Sequence, residues 1–241
     1  LDGTLFPYTT LFRSDNVKQI RVAKENSDFV IVVVHGGHEY FKYPSPRMQK
    51  QYRFYAEEGA NVVVGHHTHC VSGYEIHNDV TIFYSLGNLF FPWENRPGFW
   101  YEGMLLKLNI SVENKNIDFE LIPYEQCKKD FKIQIMEEKR KEKFIDETMK
   151  IKRIISDELF LKKKWDEFVE SKNNFLYEFF AMPNEKLRKI LRKLGLLKKL
   201  RSKDFDKKFV NMVRCESHEN VLLNSLRKSY KKVKNESSNN K

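Results

Sequence analysis

Five of the seven histidines lie in two short motifs, HGGH at residues 35–38 and HHTH at residues 66–69. Neutral imidazole is the commonest side-chain metal ligand near neutral pH. Alternate residues of an extended segment point the same way, so His67 and His69 would converge on one ion while His66 faces elsewhere. The pattern predicts metal or phosphate chemistry. The alternative is that these histidines are polar loop residues with no special role.

Each motif follows an apolar run that predicts a buried strand. Residues 29–34 (FVIVVV) form a continuous run typical of a strand covered on both faces, and residues 61–64 (NVVV) form a second one. Between them, Ser45 and Pro46 predict the start of a helix and Gly59 predicts its end. A strand–helix–strand unit makes the two strands parallel, so both motifs would lie side by side at the carboxyl edge of a sheet. Open α/β sheets place their ligands at that edge.

More strands and an aromatic loop follow the second motif. Residues 71–76 and 80–84 predict a pair of short strands, and the small and polar residues 85–88 predict another loop at a sheet edge. Residues 90–101 form an aromatic-rich loop, which is either a hydrophobic lid packed on the core or a surface that faces substrate. Residues 104–121 alternate apolar and polar side chains around a polar turn, which predicts a half-exposed antiparallel hairpin.

After about residue 130 the chain becomes basic and rich in helix-forming residues. Residues 1–135 carry a net charge of −2, whereas residues 136–241 carry +12. The pattern predicts several amphipathic helices, and the most basic segment, residues 186–208, suits an anionic membrane surface or an acidic polymer. The alternative is the solvated face of a small helical bundle. Nucleic-acid binding is not favoured, because aromatic residues are not interleaved in a stacking pattern with the basic run of residues 198–208.

The ends of the chain and its cysteines say little about chemistry. Residues 4–14 resemble the translation of a sequencing adapter, so residues 1–14 are excluded from fold reasoning and the chain is expected to be a gene fragment without its true N-terminus. Residues 231–241 are polar and predict a disordered tail. Three scattered cysteines without a CxxC pair predict free, mostly buried thiols; they are Cys70, Cys127 and Cys215.

Three stretches of the first half carry a family resemblance. They are residues 35–40 (HGGHEY), 58–69 (EGANVVVGHHTH) and 82–90 (IFYSLGNLF). In order, spacing and residue type they resemble the capsule-synthesis CapA family, which belongs to the calcineurin-like metallophosphatase superfamily. The resemblance covers residues 17–125 and corresponds to the C-terminal part of the family's domain. The family usually has His-Trp-Gly where this chain has His-Gly-Gly at residues 35–37, which alters the pocket wall.

The resemblance implies an α/β fold. It makes residues 15–130 the C-terminal part of a metallophosphatase-like α/β/β/α sandwich, followed by a basic, mainly helical region over residues 131–241. It also implies one or two divalent ions (Mn, Fe, Zn or Mg) at the sheet edge. The implied metal ligands are His35, His67 and His69. The residues implied to support these ligands or to position substrate are Glu39, His66, Ser85 and Asn88.

The resemblance places the other metal ligands and the catalytic histidine in the N-terminal half of the family's domain. No catalytic residue is therefore assigned, and the chain as given is expected to be inactive. The leading hypothesis is hydrolysis or transfer at a phosphate ester or amide-type bond in the biosynthesis of capsule or a poly-γ-glutamate-type exopolymer. The alternatives are a non-catalytic capsule assembly factor that binds a polyanion or membrane, and a small-molecule metallophosphoesterase.

The expected partners follow from these hypotheses. They are an anionic exopolymer or a phosphorylated substrate, with a membrane surface for the basic helices. The family implies a bacterial membrane-associated or extracytoplasmic location, and a cytoplasmic location is left open.

Overall fold

The structure is a computed structural model, and it describes residues 10–91, 93–126, 131–181 and 185–196. The chain divides into two compact units, which comprise residues 1–170 and residues 171–241. The first unit extends 40 residues beyond the boundary that the change in composition suggests, because helices after residue 130 pack with the sheets.

Helices and strands alternate in the first unit as far as the second histidine motif, and strands dominate after it. Its elements are α1 (Thr10–Asn26), β1 (Ile31–His35), α2 (Pro46–Glu57), β2 (Val62–His66), β3 (Tyr74–His77), β4 (Val80–Phe83), β5 (Glu102–Ser111), β6 (Asn116–Gln126), β7 (Ile133–Ile135) and α3 (Glu138–Ile155). A short 3-10 helix, Gly98–Tyr101, precedes β5. The helix α4 (Glu158–Ala181) begins in the first unit and ends in the second, which also contains α5 (Glu185–Lys193).

The β1–α2–β2 unit confirms the predicted parallel arrangement of the two strands that lead to the motifs. Ser45 caps α2, since its Oγ accepts a hydrogen bond from the backbone N–H of Met48 at 3.2 Å. Gly59 follows the end of the helix with a φ of 123°, a conformation that glycine adopts at little cost. The strands β1 and β2 pair in parallel with His35 opposite His66, so both motifs begin at the same sheet edge.

Two sheets stack on each other and helices cover the first of them, which confirms an α/β fold. The first sheet has the strand order β1-β2-β4-β3 and the second has β5-β6-β7. One core lies between the first sheet and α1 and α2, and it includes Ile20, Tyr52 and Val63. A second core lies between the sheets, where Val64 and Phe83 pack with apolar residues of β5 and β6. The predicted hairpins are present as β3–β4 and β5–β6.

The expectation that β1 is covered on both faces is wrong. This strand forms an edge of the first sheet, and alternate residues along it are exposed. Val33 is 66% exposed and Ile31 is 42% exposed, whereas Val32 and Val34 pack against the helices. A continuous apolar run shows that a strand could be buried on both faces, but the number of neighbouring strands and layers decides whether it is.

A buried ion pair joins α2 to the hairpin β3–β4. Glu75 is 5% exposed and accepts hydrogen bonds from Arg53 at 2.9 and 2.7 Å, one at each carboxylate oxygen. Gln49 and the hydroxyl of Tyr84 also donate to this carboxylate. Gln49 donates in addition to the backbone oxygen of Ile155 at the end of α3. Burial, and then the neighbouring Glu75, raise the pKa of Tyr84 well above its ordinary value, so its hydroxyl stays a donor.

The helices that follow residue 130 confirm the prediction of a mainly helical second half as far as residue 196. Phe144 of α3 packs with Met104 of β5, and Leu161 of α4 is 2% exposed. The sequence features that lie outside the described residues are the adapter-like residues 4–9, Cys127, Cys215, the basic run of residues 198–208 and the polar tail.

Candidate functional site

The carboxyl ends of β1 and β2 bring two imidazoles into contact. The Nε2 atom of His35 and the Nδ1 atom of His67 are 3.1 Å apart, and the ring centroids are 4.9 Å apart. His35 ends β1 and His67 follows directly on β2, so the parallel register accounts for this proximity. Two ring nitrogens at this distance either share a proton or both direct lone pairs at a cation. Two nitrogen ligands of a tetrahedral zinc ion lie about 3.3 Å apart, so this pair fits a metal ion.

The loop that carries the second motif is a turn and not an extended segment. His67 and His69 have φ values of 96° and 57°, in a region that residues other than glycine rarely adopt. Thr68 between them is buried and its hydroxyl donates to the backbone oxygen of Cys70 at 2.9 Å. The expectation that alternation in an extended strand directs the two imidazoles is therefore wrong. Unusual backbone conformations of this kind cluster at functional sites.

Asn88 fixes the orientation of His69. The amide nitrogen of Asn88 donates to the backbone oxygen of Trp100 at 3.0 Å, which turns the amide oxygen towards His69 Nδ1 at 2.7 Å. His69 therefore donates from Nδ1 and keeps a lone pair on Nε2. A ring nitrogen held by an amide or carboxylate in this way leaves the other nitrogen available for a metal ion. The imidazole also stacks on the indole of Trp100, with centroids 4.6 Å apart.

Burial, and then repulsion from neighbouring imidazoles, lowers the pKa of several of these histidines. Burial lowers the pKa of His67 below its ordinary value, repulsion from His35 and His69 lowers it further, and Glu39 opposes the shift. Burial and repulsion from His35 also lower the pKa of His66. A neutral imidazole is the form that binds a metal, so these shifts favour metal binding at neutral pH. By contrast, burial raises the pKa of the neighbouring Cys70 thiol to about 11, which makes that thiol a poor ligand and nucleophile.

His38 is a residue of the site to which the sequence assigns no role. Its ring packs on Trp165 of α4 with centroids 4.7 Å apart, and it also lies near Phe168 at 6.0 Å. Burial lowers its pKa, and His67 lowers it further. Its position in the HGGH motif is the feature of the sequence that could have indicated a role for it. The contact with α4 depends on a helix more than 120 residues away, which no local pattern indicates.

The structure brings some of the predicted site residues together and not others. His35, His67, His69 and Asn88 lie in one contiguous group, and Glu39 is close enough to affect the pKa of His67. His66 lines a cavity of about 310 Å³ between the two sheets, and it is near enough to His35 for that imidazole to lower its pKa. Ser85 is buried, and its Oγ accepts a hydrogen bond from the backbone N–H of Gly87.

The described residues contain no group of three His, Cys, Asp or Glu side chains arranged to hold a metal. The pair His35–His67 fits two ligand positions, and the complete ligand set stays a prediction.

Comparison with known proteins supports the family indicated by the motifs. Residues 8–92 match the model of the bacterial capsule synthesis protein PGA_cap. This match covers about a third of the chain and shows that these residues are similar to the CapA family. The capsule biosynthesis protein CapA of Bacillus anthracis is 40% identical over 79 residues, which are 31% of this chain and 19% of that protein.

Two further relatives show a similar extent of similarity. The PGA biosynthesis protein CapA of Bacillus subtilis (strain 168) is 40% identical over 75 residues, which are 31% of this chain and 20% of that protein. An uncharacterized protein, y4sH, of Sinorhizobium fredii is 35% identical over 92 residues, covering 37% and 20% of the two chains. The chain thus spans about a fifth of the length of the curated relatives that it matches, and the matched region contains the histidine site.

Proposed function

We propose that this chain acts in bacterial capsule synthesis through a metal centre at the carboxyl edge of its first sheet. The reaction would be hydrolysis or transfer at a phosphate ester or amide-type bond of a poly-γ-glutamate-type exopolymer or its precursor. The names of the two Bacillus relatives, which concern capsule and PGA biosynthesis, support the process. The chemistry is supported by the histidine site.

The observation that carries this proposal is the 3.1 Å contact between His35 Nε2 and His67 Nδ1. Two imidazoles at this distance would repel each other if both were protonated, and a cation bound between their ring nitrogens would hold them together as neutral ligands. In the proposed centre His35 and His67 hold the ion, and His69, oriented by Asn88, is the third ligand. A bound divalent ion would polarise the scissile group and lower the pKa of a coordinated water.

A chimeric protein tests this proposal. Residues 15–241 are joined to the segment that precedes the matched region in a Bacillus relative, and turnover of a phosphodiester and of a γ-glutamyl amide is measured with Mn²⁺. We expect turnover that EDTA abolishes, because the resemblance places the other metal ligands in that segment. The chain alone is the control, and it should bind metal without turnover. A metal-loaded chimera without turnover of either substrate would favour the non-catalytic assembly factor over the enzyme.

A second role concerns the helix α5 in the second unit. This nine-residue helix carries five basic residues and one acidic residue, while Ile190 and the following Leu194 are 56% and 64% exposed. Within the part of the chain that the structure describes, no helix is long and apolar enough to span a bilayer. We propose that α5 lies on an anionic membrane surface, with its cations on lipid headgroups and its apolar residues in the interface.

Binding to vesicles tests the role of α5. Replacing Lys186 and Lys193 by glutamine should weaken binding to vesicles with phosphatidylglycerol roughly 30-fold, since each lysine near such a surface contributes about 1 kcal/mol. The matched control replaces Lys18 and Lys107, which lie in α1 and β5, and should bind as the parent chain does. Binding that does not weaken with added salt, or that falls equally in both variants, would contradict an electrostatic role for this helix.

A further inference from the structure

The loop between β4 and β5 holds one arginine against a pair of indoles. The Cζ atom of Arg96 lies 5.1 Å from the ring centroid of Trp93 and 4.9 Å from that of Trp100. The two indoles are stacked, with centroids 5.7 Å apart and ring planes 21° apart. A guanidinium group packs favourably on the face of an indole. Arg96 is therefore fixed in position although it is exposed to solvent.

Arg96 is linked to the histidine site through two aromatic residues. Trp100 contacts both Arg96 and the imidazole of His69. Tyr40 accepts a hydrogen bond from Arg96 Nη1 at 3.2 Å, and its ring centroid is 6.4 Å from that of His69. Tyr40 follows the first histidine motif, and its φ of 64° is another unusual backbone conformation at this site. The loop thus connects a cation to the histidine site through Trp100 and Tyr40.

The guanidinium of Arg96 forms no ion pair within the part of the chain that the structure describes. A guanidinium carries five N–H donors. Among the described residues no carboxylate pairs with Arg96, and its side-chain hydrogen bond goes to a neutral hydroxyl. Arg53 and Arg140, by contrast, pair with glutamates. A guanidinium that is held in place and has free donors is suited to bind the two oxygens of a carboxylate or phosphate.

We propose that Arg96 binds an oxyanion of the ligand next to the histidine site. The proposal deepens the proposed function, on which it rests for the identity of the ligand. An exopolymer of glutamate presents a carboxylate on each unit, and a phosphorylated substrate presents a phosphate group. Both groups accept hydrogen bonds from a guanidinium in the same paired geometry. The aromatic loop therefore faces the ligand and is more than a lid over the core.

Tryptophan fluorescence of the full chain measures this binding directly. Two of the three tryptophans contact Arg96, so an anion bound there should change their emission. The probes are oligo-γ-glutamate and inorganic phosphate, each titrated at constant ionic strength against sodium chloride. We expect saturable binding of at least one probe, weakened about 10- to 100-fold in Arg96→Gln and less in Arg96→Lys, which keeps the charge. The probe that saturates at the lower concentration identifies the carboxylate or the phosphate as the natural group.

Arg21→Gln is the matched control, since it removes an exposed arginine that pairs with Glu58 at the end of α2, away from the histidine edge. Its affinity should equal that of the parent chain. Equal affinity in Arg96→Gln and the parent chain, equal loss in both variants, or an equal response to chloride would each overturn the proposal.

Metal content measured on the same samples separates this proposal from the proposed function. It should be unchanged by Arg96→Gln. A chain that binds the anion through Arg96 but takes up no metal would overturn only the metal centre. A chain that takes up metal but binds the anion without Arg96 would overturn only this inference.

Discussion

Replacing His67 by alanine is expected to reduce the affinity of the chain for Zn²⁺ or Mn²⁺ by about 100-fold or more. Loss of a residue that merely supports a ligand costs 10- to 100-fold, and His67 is predicted to bind the ion directly. The variant also leaves His35 Nε2 without its partner at 3.1 Å. Isothermal titration calorimetry with each metal at pH 7.5, together with metal content after dialysis, measures the effect.

His77→Ala is the control for this variant. His77 is a partly exposed histidine at the end of β3, where its Nε2 pairs with Glu57 at 2.8 Å. Its loss removes one imidazole without touching the site, so metal affinity should not change. Undiminished metal binding in His67→Ala would contradict the assignment of the metal site. An equal loss of metal affinity in both variants would show non-specific binding to histidines.

The direction in which metal affinity changes with pH follows from the same residues. The metal competes with protons for the imidazoles, so affinity must fall as the pH falls. The pKa of His67 lies below its ordinary value, chiefly because of burial, so this residue stays neutral to a lower pH than a solvated histidine. The contribution of His67 to metal affinity should therefore persist below pH 6.5, and it should be lost only when the pH falls further.

Gly65→Ala is expected to destabilise the first unit by about 2–3 kcal/mol. A methyl group at this position would lie 2.9 Å from the backbone carbonyl carbon of Tyr84 and closer still to its oxygen, because β2 and β4 are direct neighbours. Overpacking costs about 1–3 kcal/mol, occasionally more, and contact with backbone is at the high end because backbone cannot rotate away. Alanine also restricts the unfolded chain more than glycine does, which raises the free energy of unfolding by about 0.4–1 kcal/mol. This gain offsets only part of the cost of overpacking.

Gly98→Ala is the matched control, because a methyl group there would meet no atom within 4 Å. Its free energy of unfolding should stay within about 0.5 kcal/mol of the parent value. Urea titration followed by tryptophan fluorescence reports on the first unit, since the three tryptophans all lie before residue 171. Equal stability of the two variants would mean that β2 and β4 are not as close at Gly65 as the structure shows.

The sequence by itself determined the local elements and the two histidine motifs. The apolar runs before them, the Ser45 cap and the Gly59 stop define β1–α2–β2, because strand formation and capping depend on neighbouring residues. A strand–helix–strand unit is almost always right-handed and parallel, so the sequence also determined that His35 and His67 approach each other. The motifs likewise indicated the family.

The tertiary structure alone decided how the loops around these motifs are arranged. The positive φ values of His67 and His69, the hydrogen bond from Asn88 and the stacking of Trp100 depend on contacts between segments far apart in the chain. So do the exposure of Val33 and the contact of His38 with α4. Periodicity reports only which side of a segment is apolar. Which layer, loop or arginine lies against that side depends on how all the elements pack together.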